Sequence, residues 1–382
     1  DRVEDTVPVT GSYPNVPRAG VILKYIPEPD RLEVKHGKEE ITLITNEGTS
    51  VTAELCSALM AIGHQVTVLT FPEDLIRPGK HKLPKGVKEV KLKDTSDTTI
   101  GAVISALKGP VSQFIHLHPH LRFPLGKIGM QFDKEKALIK SVYFLAKHLK
   151  DPLNNLAENH RTAFLIVTRM DGAMGMKNPG NVSVFGGGLF GLTKCLNLEW
   201  NKVFCRGTDI APQLNAKYTA QKICDELFDA DQCLTDTCYN HRGKRYTLLA
   251  KPMAGIKKGQ EIKFSITDKS VFLVTGGARG VTADCVKQMA TTFKCKFILV
   301  GRSELQAKEP EWAIGVNDEN DLKRKAMEAL KVAGEKPLPK AVQGMVGAVI
   351  AQREIKANLA FIKERGGQFE YVAADVTDAK AL

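Results

Sequence analysis

The sequence predicts an α/β chain of two doubly wound, parallel-sheet units, the first complete but degenerate, the second cut short after its third strand. Three observations predict it. The stretch VFLVTGGARGVT (271–282) runs from a short apolar strand through a glycine-rich turn into a helix. The segment ITLITNEGTSVTAELCSALMAIGHQVTVL (41–69) shows the same pattern 230 residues earlier, without a gap. Around both, apolar runs of strand length alternate with segments of helical periodicity, the order expected of a layered α/β fold.

In the earlier copy Thr45 matches Thr275, Val51-Thr52-Ala53 matches Val281-Thr282-Ala283, and Leu69 matches Leu299. Leu55, Leu59 and Ile62 are expected to form the apolar face of its helix. Asn46, Glu47 and Ser50 stand where Gly276, Gly277 and Gly280 stand in the later copy. Glu47 would meet a phosphate with a like charge, so this copy keeps the fold signal and loses the ligand chemistry. Downstream, VSQFIHLHP (111–119) and TAFLIVTRM (162–170) read as buried strands, with a helix through EKALIKSVYFLAKHLK between them. NVSVFGGGLFGLTKCLNLEW (181–200) reads as a long, glycine-opened helix leading to a strand over 203–210. RYTLLAKPM (245–253) is expected to return and pair with GVILKYIP (20–27). The expected organisation is a polar linker over 1–19, a first unit over 20–255 and a second over 256–382, with GIKKGQE as a charged joint.

In the second unit Val271, Phe272, Leu273 and Val274 suit a strand of a parallel sheet. Gly276, Gly277 and Gly280 let the backbone turn sharply and approach a ligand closely. Val281, Val286, Met289, Ala290 and Phe293 then follow at helical spacing. Unpaired N–H groups and the helix dipole make such a turn a phosphate cradle. KFILVGRSEL supplies the next strand, with Arg302 22 residues after Gly280. A free ribose 2′-hydroxyl is usually met there by a carboxylate; a guanidinium suits a 2′-phosphate and points to NADPH rather than NADH. Arg279, inside the turn, offers a second positive charge. Residues 304–367 form a helical insert. Leu322, Ala326 and Leu330 share one helical face; Val342, Val346, Val349, Ile355, Leu359 and Ile362 mark a second helix that stops at Gly366-Gly367. A lid and a partner surface both remain open for it. FEYVAADVTD is the third strand.

Composition narrows the function classes. With 382 residues, 43% hydrophobic and 25% charged, the chain has the make-up of a globular protein of two or three domains. No apolar run reaches the roughly 18 residues of a membrane span, and the first residues have no signal-peptide core. Eight cysteines without a CxxC pair suit a reducing cytoplasm and read as small core residues. The net charge of +11 concentrates in RPGKHKLPKGVKEVKLK (77–93), seven Lys or Arg against one Glu. No aromatic interleaving accompanies it, so nucleic acid is set aside in favour of an exposed loop or an acidic protein partner. His116, His118 and His120 alternate along a strand, but no third ligand of known spacing completes a metal site, and none is assigned.

TGGARGVT, FILVGRSEL, EPEWA and AADVTD, in that order, together with FGLTKCLNLEW in the first half, resemble the ketoreductase region of bacterial polyunsaturated fatty acid synthases and modular type I polyketide synthases. The resemblance runs from about residue 20 to the end of the chain. It implies two Rossmann-like units of short-chain dehydrogenase/reductase type, a structural one followed by a catalytic one. It implies NADPH-dependent reduction of a 3-oxoacyl chain to the 3-hydroxyacyl product in the cytoplasm. The acyl group would ride on the phosphopantetheine of an acyl carrier protein, with neighbouring synthase domains as further partners. The implied cofactor contacts are Thr275, Gly276, Gly277, Arg279, Gly280, Arg302 and Ser303, with Asp375 and Val376 at the adenine. Thr282 departs from the family's final glycine.

Aligned with the catalytic helix of the family, the first half places Val182 at the tyrosine position, Gly186 at the lysine position and Arg169 near the serine. None has the required chemistry. Tyr143/Lys147 and Tyr218/Lys222 match Tyr-x-x-x-Lys, but the first lies too early and the second too late. No catalytic residue is therefore assigned; the Ser/Tyr/Lys set is expected beyond Leu382, and the piece itself is expected to be inactive. The competing expectation is a non-catalytic docking module of the same synthase.

Overall fold

The structure, a computed structural model, describes residues 19–34, 36–76, 79, 81–119, 128–177, 183–252 and 266–380. These fall into two compact units that part between residues 253 and 254. Of the linker expected over 1–19, residues 1–18 lie outside the described residues, as does the joint at GIKKGQE, and Ala19 already belongs to the first strand.

The first unit is a nine-stranded sheet: β1 (Ala19–Tyr25), β2 (Ile41–Thr45), β3 (Gln65–Thr70), β4 (Lys88–Lys91), β5 (Val111–Leu117), β6 (Ala163–Thr168), β7 (Phe204–Ile210), β8 (Asp236–Tyr239) and β9 (Arg245–Pro252). The spatial order is β1-β9-β8-β7-β6-β5-β2-β3-β4. From β8 to β4 all neighbours run parallel, while β9 is antiparallel to β8 and β1 to β9. The expected return pairing of 245–253 with 20–27 is present, in the register Ala19 opposite Pro252.

Every residue of β2, β5, β6 and β7 is buried, as both faces of a helix-covered parallel sheet require. Alternate side chains feed two cores. Leu43, Phe114 and Phe164 pack with Ile100 of α2 (Asp97–Ser105), Leu138 of α3 (Ile128–Leu156) and Leu189 of α4 (Phe185–Glu199). Ile44, Ile115 and Leu165 pack on the other face with Leu55 of α1 (Ser50–Ala61) and Ile223 of α5 (Ala216–Leu227). Ile62 does not belong to the helix face. It follows the last turn of α1 at 49% exposure, and Val51 and Cys56 fill the face instead. The basic strip is not wholly a loop: Lys88–Lys91 forms the parallel edge strand β4 on β3.

The second unit holds β10 (Val271–Thr275), β11 (Lys296–Gly301) and β12 (Gln368–Ala373), parallel and in that order, with α6 (Gly280–Phe293), α7 (Glu319–Val332) and α8 (Pro339–Glu364). The 230-residue repeat is literal: β2 and β10 begin at 41 and 271, α1 and α6 at 50 and 280. The stretch 304–367 is not a uniform insert. The last turns of α8 place Ile355, Leu359 and Ile362 with Phe297, Leu299, Val286 and Ala290, so they form the crossover helix of the sheet. Only α7 and the first half of α8 stand apart, joined by Leu322, Ala326, Leu330, Val342, Val346 and Val349. Val281, at 81% exposure, stays outside the α6 face. On the opposite face of the sheet Val271 at 59%, Leu273 at 69% and Val372 at 37% are exposed, while Val300 between them is 4% exposed. Five cysteines are buried core residues, but Cys195, Cys233 and Cys285 are exposed and correct the reading of all eight as core.

Candidate functional site

The C-terminal ends of β10, β11 and β12 bring together the residues expected to meet a nucleotide. β10 ends at Thr275, and the Gly276 N–H bonds the Val300 carbonyl at 2.7 Å, so the turn leaves the sheet directly. Gly276 and Gly280 have φ of +69° and +61°, which L side chains rarely adopt. Gly277 is needed for space: a Cβ there would lie 2.8 Å from Leu299 and Val274 side-chain atoms. The turn thus rests on the core while its outer surface stays open, since a Cβ at Gly276 or Gly280 would meet nothing within 4 Å.

At the start of α6, Arg279 is extended and gives no side-chain cap. A residue that the sequence reading missed takes that place. Glu354 of α8 accepts the Gly280 N–H on Oε1 at 2.8 Å and the Arg279 Nε–H on Oε2 at 3.0 Å. The Gly280 N–H first, and Arg279 second, hold its carboxyl below the usual carboxylate range. One turn further, Asn358 Nδ2 donates to the Ala278 carbonyl at 3.0 Å from a buried position. The available signal was two polar residues spaced i, i+4 among Ile355, Leu359 and Ile362.

Arg302, just past β11, is exposed and forms no salt bridge or side-chain hydrogen bond among the described residues. The Ser303 carbonyl accepts the Tyr371 hydroxyl at 2.7 Å, which fixes the peptide after Arg302. Ala374 N–H bonds Gly301 O at 2.9 Å, so Asp375 follows on the neighbouring strand end. Asp375 accepts from the Thr377 N–H at 2.9 Å and hydroxyl at 2.8 Å. Those bonds, the N–H first, keep its carboxyl low, and the Arg302 charge adds to the effect. Val376 is 47% exposed beside it.

The equivalent turn of the first unit spends its polar groups on its own residues, beside a cavity of about 280 Å³ lined by Asn46, Gly48, Thr49, His81, Lys82 and Glu89. Thr49 caps α1 by accepting the Val51 N–H at 3.2 Å, and Asn46 Oδ1 accepts the Gly48 N–H at 2.9 Å. Glu47 is 4% exposed, takes the Thr49 hydroxyl proton in a hydrogen bond, and has its carboxyl pushed up by burial. A Cβ at Gly79 would lie 2.1 Å from Gly48 O, so the later chain sits directly on the turn.

The first-unit residues aligned with the family's catalytic set are engaged in other contacts or lie outside the described residues. Arg169 Nη2 donates to the carbonyls of Pro212 at 2.8 Å and Leu214 at 2.9 Å. A Cβ on Gly186 would be 2.5 Å from Met170 Sδ; Val182 lies outside the described residues. Lys147 bonds Asp97 at 2.6 Å, and Tyr143 is 56% exposed. Lys222 bonds Glu28 at 2.6 Å while the Tyr218 hydroxyl reaches Gly243 O at 3.5 Å. His116 and His118 are buried, their rings joined at 3.2 Å and His116 bound to Thr45 at 2.9 Å. Among the described residues no three His, Cys, Asp or Glu side chains are placed to hold a metal; His120 lies outside them.

No family model matches the chain. Over 369 residues, 93% of its length, it is 29% identical to a subunit of the polyunsaturated fatty acid synthase of Thraustochytrium sp.. Over 159 residues, 41% of its length, it is 30% identical to the polyketide synthase PksL of Bacillus subtilis. It spans only 12% and 3% of those two proteins. Its fold is that of solved ketoreductases. An N-terminal ketoreductase from a macrolactin assembly line matches with a TM-score of 0.57 at 16% identity, over 95% of this chain and 60% of that one. A structure comprising adenylation, ketoreductase and pseudo-Asub domains of a keto acid-selecting NRPS module matches with 0.59 at 15% identity, over 95% and 26%. A-type ketoreductases from a modular polyketide synthase match with 0.53 at 16% identity, over 95% and 59%.

Proposed function

We propose that this chain, homologous to a polyunsaturated fatty acid synthase and to a polyketide synthase, is a ketoreductase region of such a multidomain synthase, with its NADPH site in the second unit. The observation that carries the reading is the glycine turn between β10 and α6, with Arg302 at the end of the next strand. The residues fit the phosphate-bearing end of the cofactor. Gly276 and Gly280 leave the outside of the turn open, the first N–H groups of α6 have no cap from their own helix, and Arg302 offers a guanidinium to a 2′-phosphate. Asp375 and Val376, at the end of β12, stand on the adenine side. When bound, the cofactor would supply the hydride that reduces the 3-oxo group of a carrier-tethered acyl chain. The residues of this chain would bind its adenosine end and set its orientation.

The first unit has the structural role in this reading, because its turn carries a buried carboxyl and engaged polar groups where the second has open glycines, and the positions matched to the family's catalytic residues are spent on carbonyl contacts and packing. No proton donor with its lysine is assigned among the described residues. The exposed Val271, Leu273 and Val372 suit packing against a neighbouring part of the synthase. An acyl carrier protein domain and neighbouring synthase domains are the proposed partners. Calorimetric titration with NADPH and NADH tests the site: saturable binding that favours NADPH is expected, and a folded chain that binds neither at millimolar concentration refutes it.

A further inference from the structure

Glu354 belongs to α8, yet its carboxylate sits in the turn at the start of α6, on the Gly280 N–H and the Arg279 guanidinium. A backbone N–H at a helix N-terminus beside a guanidinium is how proteins hold a phosphate, and here the seated anion is a side chain. Its neighbours fix it there. Asn358 bonds the turn at Ala278 O, and Arg353 bonds the carbonyls of Ala313 at 2.9 Å and Val316 at 2.7 Å. The nearby Asp284 is turned to Lys287 at 2.7 Å and does not compete for the same donors. Arg279 and Glu354 are 49% and 37% exposed, so water screens the pair and the contact can be exchanged for a stronger one.

We propose that Glu354 is an internal competitor for the nucleotide phosphate: it occupies the cradle of the free chain and is displaced by the pyrophosphate of the bound nucleotide, so that α8 sets the affinity of the site. This rests on the reading of 276–280 as a nucleotide-phosphate site. Once Glu354 is displaced, Arg279 faces the pyrophosphate beside the Gly280 N–H, and the 2′-phosphate falls to Arg302.

The test is titration of the 382-residue chain and its Glu354→Gln variant with adenosine 2′,5′-bisphosphate, and with adenosine as the uncharged control. Glutamine keeps the size and one acceptor for Gly280 but removes the charge. The variant should bind the bisphosphate about threefold to tenfold tighter, with adenosine unchanged. Glu354→Asp, whose shorter arm reaches one donor rather than two, should shift binding in the same direction by less, and it decides the matter if the glutamine variant does not fold. Equal or weaker bisphosphate binding, or an equal gain for adenosine, overturns the proposal while leaving the site reading intact. No bisphosphate binding by any of the three chains overturns the site reading and this proposal with it.

Discussion

Two arginines flank the open turn, and their surroundings divide the work between them. Arg279 is held by Glu354, whereas Arg302 is unpaired by any salt bridge among the described residues. Arg302→Ala should therefore weaken NADPH much more than NADH, by about 1.5–3 kcal/mol, the worth of a charge-assisted hydrogen bond. Equal losses in parallel titrations would remove the 2′-phosphate assignment. Glu47 poses the opposite problem, a carboxyl buried at the first turn with one oxygen lacking a hydrogen bond among the described residues. Its folded pKa is raised, by burial above all. Its contribution to stability is thus fullest below the unfolded carboxylate pKa and is lost as pH rises through the folded value. Glu47→Gln should raise the thermal midpoint at pH 7 more than at pH 4. A pH-independent change, or a loss at pH 7, would contradict this account of Glu47.

At the scale of elements, α5 shows what the sequence hid. Its buried face carries Thr219, Lys222 and Glu226 beside Ile223 and Leu227, so the apolar period that betrays a helix is interrupted by charge. Those charges find partners far along the chain. Arg206 of β7 and Arg245 of β9 both bond Glu226 and Asp229 at 2.5–2.9 Å, and the Tyr239 hydroxyl of β8 donates to Glu226 at 2.8 Å. Arg206→Met strands two buried carboxylates on a single guanidinium and should cost about 3–5 kcal/mol in denaturant unfolding. A cost under about 1 kcal/mol, the worth of an exposed pair, would show that the network contributes little. The central strands were legible because their runs are apolar on both faces, and α1 and α6 because their turns repeat at a fixed offset. β4 and β8 were not legible. Each has only four residues, with Lys and Glu in the first and Asp and Thr in the second, and only their sheet neighbours make strands of them. The glycine turn and Arg302 stand out in the sequence, and Asp375 through the family resemblance; all three meet at the strand ends. Glu354 and Asn358 show only as a polar i, i+4 pair, and what they bond does not, because the partners of Glu354 lie 74 and 75 residues upstream and only the packing of α8 on α6 brings them together.

Across the whole molecule, one strand–turn–helix pattern serves two ends. In the first unit Asn46, Glu47 and Thr49 bond within the turn and Glu47 sets a carboxyl where a phosphate would sit; in the second the turn is glycine and holds a carboxylate that can leave. The nucleotide should therefore bind to one unit only, and weakly, since a doubly wound sheet holds a dinucleotide across two halves and three strands supply one. No reduction of a 3-oxoacyl thioester is expected from the 382 residues alone, and NADPH consumption dependent on the thioester would require an acid not found among the described residues. The central claim is that the phosphate site lies in the second turn and not in the first. Amide hydrogen exchange with and without NADPH tests it most directly, because both turns report in one experiment. Slower exchange at 276–283 and around 302, with 46–53 unchanged, is the predicted result; slower exchange at 46–53, or none at 276–283 with ligand bound, would contradict it.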